Sequence, residues 1–296
     1  MKSTFEEKCI HTISVIVVVF VSIVTLYPYL NQIAIALNDA LDTARGGVTI
    51  YPRKFTLENF KTILTNVSIY KGAIISVTRV VIGGLLAFFV TFSAGYALSR
   101  PKLKGRKFFT WYLCIPMYIS AGLIPNYFLL RELHLINHYL VYILPTCFSF
   151  YNMIIIRSFI QDLPASIEES ALLDGANEIY VMFKIILPIS MPVVATICLW
   201  LAVGYWNDWT TTLYYVTNPD LYPLQYVMMQ IIKQSEIVQQ MQTELSVSSA
   251  DGNVVRVTTE SLQSAVLIVS TLPIIILYPF VQKYFVKGVT LGAVKE

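Results

Sequence analysis

The sequence predicts an all-α polytopic membrane protein with six transmembrane helices. Of its 296 residues, 56% are hydrophobic and 13% are charged, whereas about a quarter of the residues of a soluble domain are charged. The apolar residues form blocks of about 20 residues or more, the length that a helix needs to cross a bilayer. A soluble fold with a large core is therefore excluded. Six blocks qualify as spans, at about 10–30, 72–99, 108–130, 136–156, 189–214 and 262–284.

The basic residues predict how the chain is oriented. One short loop between the second and third spans holds five basic residues and no acid: Arg100, Lys102, Lys104, Arg106 and Lys107. The positive-inside rule puts that loop in the cytoplasm. A nucleic-acid-binding patch is the alternative interpretation, and the position between two spans argues against it. Counting spans then predicts that both termini and the loop 157–188 are cytoplasmic, and that three segments face outward, at 31–71, 131–135 and 215–261.

The first two spans and the segment between them contain three further features. No signal-peptide cleavage pattern follows the first span, so we expect that span to stay in the membrane. In the outward segment 31–71, Thr56 is placed to cap a short helix over Glu58–Leu64. The second span is rich in Gly and Ala, which favours close packing inside a bundle. It also contains Arg79, for which snorkelling to the outer surface and a functional role inside the membrane both stay open.

The remaining loops and spans offer weaker signals. His134 and His138 lie four residues apart, so they either share a helix face or are exposed turn residues. Two histidines without a third ligand do not make a metal site, and we expect none. Pro273 and Pro279 predict a kink in the last span. Four cysteines show no CxxC spacing and no disulfide framework, so they are interpreted as packing residues: Cys9, Cys114, Cys147 and Cys198.

A polar segment separates the fourth and fifth spans. Burying its charged residues in hydrocarbon would cost on the order of 15 kcal/mol in total on the helix-insertion scale. The residues counted are Asp162, Glu168, Glu169, Asp174, Glu178 and Lys184. The segment is therefore predicted to lie outside the membrane.

This polar segment nevertheless has the local signals of a short helix. Pro164 breaks the preceding helix, and Ser166 with Glu169 has the spacing of a capping box. These signals predict a short helix over 167–173. So short a helix is marginal alone in water. It therefore packs either on the ends of its own bundle or on a partner protein.

A turn and a second helix are predicted to follow. Asp174 and Gly175 supply the turn, because glycine tolerates a positive φ. Asp174 is placed to cap the second helix, which is predicted over 176–187. Pro188 then marks the entry into the next span.

The same segment resembles the EAA motif of ABC-importer permeases. That motif reads Glu-Ala-Ala, three residues, Gly, nine residues, Ile-x-Leu-Pro. Here Glu169-Ser-Ala171 is followed at the same spacings by Gly175 and by Ile185-Ile-Leu-Pro188. Ser170 replaces the second alanine with another small residue. Asp174-Gly175-Ala176 looks like the sugar-transporter form of the motif. The closing segment 287–295 is also similar to that of carbohydrate (maltose-type) permeases, in their oligosaccharide and polysaccharide branch.

The resemblance implies the architecture of a type I ABC importer permease. The whole chain, 1–296, is then a single transmembrane domain in a bacterial cell membrane, and its short cytoplasmic helix docks on an ATPase and transmits its closure. The tail Gly288–Glu296 is a further candidate for that contact, and the segment 234–261 is a candidate for contact with a binding protein. The residues that the motif assigns to ATPase coupling are Glu168, Glu169, Ser170, Ala171, Leu172, Asp174, Gly175 and Ala176.

The resemblance also implies the partners. They are a second permease subunit, two ATPase subunits, an extracytoplasmic solute-binding protein and an oligosaccharide substrate, and nucleic acid is not among them. No GxxxxGK[ST] phosphate loop occurs in the sequence. No cofactor is therefore expected in this chain, and ATP and Mg²⁺ are expected on the partner ATPase.

The fifth span ends in a cluster of aromatic and polar residues that suits a sugar, because aromatic faces and hydrogen-bonding groups together recognise such ligands. An ionisable residue inside a span is a functional candidate by default. The alternatives are an aromatic belt at the membrane surface, or pairing of the polar residues with neighbouring helices. The candidate substrate-pathway residues are Tyr205, Trp206, Asn207, Asp208 and Trp209.

Together these observations favour the transmembrane subunit of an ATP-driven carbohydrate importer that works by alternating access. The sequence shows no nucleophile–base pair and no metal-ligand set, so an enzyme is not expected. The alternative is an ion-coupled secondary transporter of a small polar solute. Such a protein needs charged relay residues deep in several spans, and only Arg79 and Asp208 qualify loosely, near helix ends. A membrane-embedded enzyme would need clustered His, Asp or Glu at a membrane face, and the sequence shows no such cluster.

Overall fold

The structure of the chain, a computed structural model, describes residues 5–245 and 258–293, and the regular elements within these ranges are all helical. The α-helices are α1 Phe5–Ala36, α2 Ala40–Ala44, α3 Glu58–Leu64, α4 Val67–Thr78, α5 Gly84–Ser99, α6 Arg106–Tyr118, α7 Leu123–Glu132, α8 Phe150–Gln161, α9 Ala165–Leu173, α10 Glu178–Tyr180, α11 Leu187–Ile189, α12 Met191–Asn207, α13 Thr210–Tyr215, α14 Leu224–Leu245 and α15 Thr259–Ala293. Short 3₁₀ turns cover Tyr139–Tyr142, Leu144–Thr146 and Pro219–Leu221.

Several helices are long and apolar enough to cross a membrane. Three do so alone: Ile10–Ala36, Val67–Ser99 and Thr259–Pro279. Three further pairs of helices qualify when each pair is taken as one bent span, with bends of 117° between α6 and α7, 47° before α8 and 86° before α12. The described residues thus contain three candidate spans, or six if each bent pair counts as one. The all-α membrane fold is confirmed, whereas the individual span boundaries and the orientation of the termini stay predictions.

The chain forms two compact units, and the first comprises residues 1–69 and 228–272. Polar side chains join α1 to α15 inside it. The hydroxyls of Tyr29 and Thr271 lie 3.0 Å apart, and the Ser264 hydroxyl donates to Gln32 Oε1 at 2.7 Å. Such side-chain hydrogen bonds between apolar helices help to fix their register.

A polar network orders the loop between α1 and α3. Asn38 Nδ2 donates to Asp42 Oδ2 at 3.0 Å, and Arg53 Nε donates to the same oxygen at 2.9 Å. These bonds favour the carboxylate, so the pKa of Asp42 is lowered, with the Asn38 hydrogen bond as the largest cause. The Glu58 N–H donates to Thr56 Oγ1 at 3.2 Å. The predicted helix over Glu58–Leu64 is therefore confirmed, but its N-cap residue is Leu57, which makes no side-chain cap bond, and Thr56 accepts the Glu58 N–H from one position before the cap.

The second unit comprises residues 70–227 and 273–296. Its central helix is α5, which packs against α8 and α12. The prediction that the Gly- and Ala-rich span packs inside a bundle is confirmed in this unit. The buried core there includes Phe88, Phe92, Ile156, Val181 and Ile197.

Two π-helical turns interrupt helices of this unit, at Arg79–Gly83 between α4 and α5 and at Val181–Ile186 between α10 and α11. Such turns are rare, and they are frequently found at functional sites because they redirect the side chains of one helical turn. The first of them begins at Arg79.

The two histidines do not share a helix face, so the first of the two interpretations is wrong. His134 has a φ of 54° in the turn after α7, and Asn137 has a φ of 57°. These two left-handed residues prevent a helix from joining the histidines. His138 instead caps the first 3₁₀ turn, where its Nδ1 accepts the Leu140 N–H at 3.2 Å. Both histidines are exposed turn residues, the other interpretation.

Candidate functional site

The first candidate region is α9, which begins earlier than predicted. The helix covers Ala165–Leu173 and its N-cap is Pro164, which makes no side-chain cap bond. The Pro164 carbonyl accepts the Ile167 N–H at 3.2 Å. Ser166 therefore lies inside the helix, and the predicted capping box with Glu169 is wrong. The reason is that Pro164 has a rigid φ and no N–H of its own, so it can end the preceding segment and start the helix at the same point.

The C-terminal end of α9 is closed by a Schellman motif. The Ala176 N–H donates to the Ala171 carbonyl at 3.0 Å, and the Gly175 N–H donates to the Leu172 carbonyl at 3.1 Å. Gly175 has a φ of +87°, a conformation that side chains disfavour. The predicted turn at Gly175 is confirmed.

The segment after this turn differs from the prediction. Its cap is Asn177, whose Oδ1 accepts the Tyr180 N–H at 2.8 Å, and not Asp174. The predicted regular helix over 176–187 is also wrong, because α10 has only three residues and gives way to the π turn Val181–Ile186. An amide two residues beyond the glycine is better placed to cap than a carboxylate that still belongs to the Schellman turn.

Polar contacts attach α9 to the end of α5. Arg100 pairs with Glu168, and each side chain is 18% exposed. The Arg100 guanidinium lies 3.9 Å from the centre of the Tyr96 ring. The Tyr96 hydroxyl in turn donates to Glu178 Oε2 at 3.2 Å. One arginine and one tyrosine therefore connect α5 to the residues on both sides of the Gly175 turn.

The predicted coupling residues divide between two faces of this segment. Ala171 and Ala176 pack against the core of the second unit, and Glu168 faces Arg100. On the outer face, Leu173 is 88% exposed. A shallow depression of about 510 Å³ adjoins the turn and is lined by Ala171, Asp174, Gly175, Ala176, Asn177, Tyr180 and Ile185. The other exposed members of this face are Glu169, Ser170, Leu172, Ile179 and Tyr180.

The second candidate region is the C-terminal end of α12, where Arg79 is fully buried. Its side chain has 0% exposure. Nη2 donates to the Tyr205 carbonyl at 2.7 Å and to Asp208 Oδ2 at 3.0 Å. The guanidinium carbon lies 4.6 Å from the centre of the Tyr142 ring. Snorkelling is therefore wrong, because the arginine turns inward to a carboxylate. For Asp208, pairing with a neighbouring helix is confirmed.

A cavity of about 350 Å³ adjoins this pair, within the size range of about 300–1,000 Å³ typical of ligand sites. Both hydrogen-bonding and aromatic side chains line this cavity. Thr146 Oγ1 donates to the Tyr205 hydroxyl at 3.0 Å, and the hydroxyls of Tyr142 and Thr212 lie 3.0 Å apart beside it. The lining residues are Tyr142, Thr146, Asn152, Trp200, Leu201, Gly204, Tyr205, Asp208 and Thr211.

Only two of the five predicted pathway residues line this cavity, namely Tyr205 and Asp208. Trp206 lines a separate apolar cavity of about 160 Å³. The Asn207 Oδ1 accepts from Gln225 Nε2 at 3.2 Å, and Trp209 is 36% exposed. Sequence reasoning did not select four polar lining residues, which carry no local motif and lie in the predicted fourth span or beyond the cluster in the fifth: Tyr142, Thr146, Asn152 and Thr211.

Comparison with known proteins gives the family of the chain. Residues 13–291 match the family described as "Binding-protein-dependent transport system inner membrane component". The polygalacturonan/rhamnogalacturonan transport system permease protein YtcP of Bacillus subtilis is 34% identical over 274 residues, covering 93% of this chain and 94% of that protein. Protein LplC of the same species is 35% identical over 276 residues, covering 93% and 91%. The arabinooligosaccharides transport system permease protein AraQ of Halalkalibacterium halodurans is 27% identical over 285 residues, covering 93% of each chain.

A solved structure shares the fold. A chain from a bacterial ABC transporter involved in the import of the acidic polysaccharide alginate superposes with a TM-score of 0.83, at 23% identity, over 96% of this chain and 99% of its own length. The protein is thus a multi-pass membrane component of a transporter and not an enzyme. Permeases of this kind act in general with a partner permease, an ATPase and a solute-binding protein. By the near full-length match and the shared helical architecture, the chain belongs to the inner membrane components of binding-protein-dependent transport systems, the permeases of ABC importers.

Proposed function

We propose that this chain is the subunit through which a separate ATPase drives the import of an oligosaccharide by alternating access. The observation that carries the proposal is the surface at the end of α9. Leu173 is 88% exposed there, and it lies beside three other exposed apolar side chains, Leu172, Ile179 and Tyr180. A cluster of this kind at a helix end marks an interaction surface more often than a solvated one.

The attachment of α9 to the bundle supports a mechanical role. A force on Leu173 passes to Glu168, which is paired with Arg100 at the end of α5. It also passes through Ala171 and Ala176 to the core of the second unit. Closure of the ATPase shifts the permease only if its contact with α9 is tighter in one permease state than in the other.

The proposed assembly contains a second permease subunit, two ATPase subunits that bind ATP and Mg²⁺, and an extracytoplasmic solute-binding protein. In this assembly the exposed side chains Glu169, Ser170 and Leu172 contact the ATPase. Glu168, Ala171 and Ala176 hold the helix on the permease. Asp174 and Gly175 shape the turn beside the docking depression.

Carbohydrate is the proposed substrate class. One relative is named for polygalacturonan/rhamnogalacturonan transport and another for arabinooligosaccharide transport. The structural neighbour belongs to a transporter involved in alginate import. The cavity beside α12 supports the same class, because it joins aromatic rings to amide, hydroxyl and carboxylate groups. Within it, Tyr205, Asp208, Asn152 and Trp200 are the proposed substrate contacts.

Photo-crosslinking tests the docking surface. A photo-reactive residue in place of Leu173 is expected to link the chain to its ATPase in the assembled transporter. The matched control is the same residue in place of Leu133, which is 57% exposed after α7. Equal linkage from the two positions, or linkage only from position 133, would contradict the proposal.

Two asparagines on neighbouring helices test the substrate contacts. Asn152→Ala removes an amide that lines the cavity, and Asn207→Ala removes one that lies outside it. Loss of one hydrogen bond of about 1–1.5 kcal/mol reduces binding or rate about 5- to 13-fold. We therefore expect oligosaccharide uptake in proteoliposomes to fall by that factor for Asn152→Ala and by less than twofold for Asn207→Ala. Identical uptake by both variants, at equal protein levels, removes the cavity from the pathway.

A further inference from the structure

A large cavity at the start of α6 has no assigned role in coupling or in substrate binding. It measures about 650 Å³. Three basic side chains line it, namely Arg106, Lys107 and Arg157, and none of its lining residues is acidic. Phe108 and Trp111 add two aromatic rings to its wall. A cavity with three cations and no anion attracts a negatively charged ligand.

None of these three cations has a carboxylate partner in the described part of the chain. The two partly or fully buried arginines elsewhere in the same unit, Arg79 and Arg100, are in contrast paired with Asp208 and Glu168. Within residues 5–245 and 258–293, no carboxylate lies within 4.0 Å of the side-chain nitrogens of Arg106, Lys107 or Arg157. A bound anion would therefore be their first charged partner.

The two arginines line the same cavity and lie close enough to repel each other. Arg157 Nη1 donates to Thr110 Oγ1 at 3.3 Å, and Thr110 Oγ1 donates to the Arg106 carbonyl at 2.8 Å. Both arginines are partly buried, and their positive charges repel. Two partly buried like charges that line one cavity are unfavourable alone, and a phosphate between them relieves the repulsion and accepts hydrogen bonds in the planar geometry that guanidinium prefers.

The aromatic residues around the cavity indicate which phosphate it meets. Trp111 is 73% exposed, Phe108 66% and Tyr112 62%, and the last two rings stack with centres 6.1 Å apart. They occupy the first turns of α6, which begins one of the bent candidate spans. Exposed aromatic side chains at the end of a span are typical of the lipid headgroup level. The cavity therefore opens where lipid phosphates lie.

We propose that this cavity binds the phosphate of an anionic phospholipid, such as phosphatidylglycerol or cardiolipin. Arg106 and Arg157 donate hydrogen bonds to the phosphate, and Lys107 adds positive charge. Trp111 and Phe108 pack on the glycerol and the upper acyl chains. The site is independent of α9 and of the cavity beside α12. It makes the transporter sensitive to the fraction of anionic lipid in its membrane.

Native mass spectrometry of the full-length chain in its assembled transporter tests the site. The probes are phosphatidylglycerol, phosphatidylcholine and inorganic phosphate. The variant R106Q/R157Q removes two lining charges, and the control K102Q/K104Q removes two charges from the neighbouring loop that do not line the cavity. One basic residue near an anionic lipid surface contributes about a fivefold factor in affinity. We expect phosphatidylglycerol binding to weaken about 25-fold in R106Q/R157Q and less than threefold in K102Q/K104Q.

Three results would overturn the proposal. One is equal weakening in the two double variants, which indicates diffuse attraction by the loop. Another is binding of phosphatidylcholine as tight as that of phosphatidylglycerol. The third is displacement of bound lipid by inorganic phosphate at equal molar concentration, which indicates a site for free phosphate. The variant R106K/R157K keeps both charges and is expected to retain most of the lipid. Its thermal unfolding temperature is the reference for R106Q/R157Q, because a much lower temperature in the glutamine variant would show that it is misfolded.

Discussion

The span Val67–Ser99 carries an arginine near its middle, and a second arginine follows its C-terminal end, in similar surroundings. The Arg79 guanidinium lies 4.6 Å from the centre of the Tyr142 ring, and that of Arg100 lies 3.9 Å from the centre of the Tyr96 ring. Each arginine also pairs with a carboxylate from a distant part of the chain. The two sites share their chemistry and differ in their burial.

Burial separates a structural pair from one that can transmit movement. The Arg79 side chain is 0% exposed and its partner Asp208 is 27% exposed, whereas Arg100 and Glu168 are each 18% exposed beside α9, so only the first pair has a fully enclosed cation. If the pair opened, the enclosed Arg79 charge would lie where water cannot solvate it, so that pair holds one geometry. A pair near water can loosen at much lower cost. We infer that the Arg79 site fixes the bundle and that the Arg100 site conveys the displacement of α9.

The largest expected effect is that of Arg79→Met. It leaves the Asp208 carboxylate, whose side chain is 27% exposed, without its cation. Loss of one partner of a buried pair costs about 3–5 kcal/mol, and the partial exposure of the remaining Asp208 carboxylate puts the expected loss at the lower end of that range, about 3 kcal/mol. We expect a lower thermal unfolding temperature and less folded protein in detergent. The double variant Arg79→Met/Asp208→Asn removes both charges and is expected to recover most of the loss. If the single variant is as stable as the double variant, the buried pair does not fix the bundle.

Glu168→Gln is expected to have the next largest effect. It leaves Arg100 partly buried without its carboxylate, and hydrogen bonds to charged groups contribute about 1.5–3 kcal/mol. Partial exposure reduces this to about 1–2 kcal/mol of unfolding free energy. The matched control is the neighbouring Glu169→Gln, on the exposed face, which is expected to change stability by less than about 0.5 kcal/mol.

The two glutamate variants also separate transmission from docking. In the assembled transporter, Glu168→Gln is expected to retain ATPase binding while transport per ATP hydrolysed falls. Glu169→Gln is expected to weaken ATPase binding, which copurification measures. If Glu168→Gln leaves both stability and coupling unchanged, the Arg100 pair conveys nothing.

The same comparison shows which features the sequence could predict. The turn at Gly175 and the helix before it follow from local residue types, so they were predicted, apart from the start of the helix at Ala165. The partner of Arg79 lies 129 residues away, and no local pattern links them. Which face of α12 meets the cavity depends on how that helix packs on α8 and on the π turn, so no local pattern could show that Tyr205 and Asp208 line it while Trp206 and Asn207 do not.

Gly83→Ala probes how tightly the π turn packs on the cavity wall. A Cβ at position 83 would lie 2.9 Å from Tyr205 Cε1, and Tyr205 is held by its hydrogen bond with Thr146. Overpacking of this kind costs about 1–3 kcal/mol, and the better helix propensity of alanine offsets up to about 1 kcal/mol. We therefore expect a net loss of about 1 kcal/mol, measured by thermal unfolding.

The adjacent Gly84→Ala is the control for this variant. A Cβ at position 84 meets no atom within 4 Å, so the substitution is expected to be neutral or slightly stabilising. A stability ranking in which Gly84→Ala is the worse variant would mean that the Tyr205 ring is free to move. The cavity wall would then be softer than its hydrogen bonds indicate.

The smallest effect is expected from Lys71→Met, because its ion pair is exposed. Lys71 Nζ lies 2.7 Å from Asp220 Oδ1, shorter than the Arg79–Asp208 contact of 3.0 Å, yet the two side chains are 59% and 71% exposed. Exposed pairs contribute about 0.2–1 kcal/mol and are screened by salt. We expect a loss of less than about 0.5 kcal/mol that vanishes in about 1 M NaCl, whereas the loss in Arg79→Met persists there.

Lys71 and Arg79 lie on the same span, so this contrast separates burial from contact distance as the cause of stability. A loss in Lys71→Met that equals the loss in Arg79→Met would mean that distance decides, and the distinction between a structural arginine and a transmitting one would then have no physical basis.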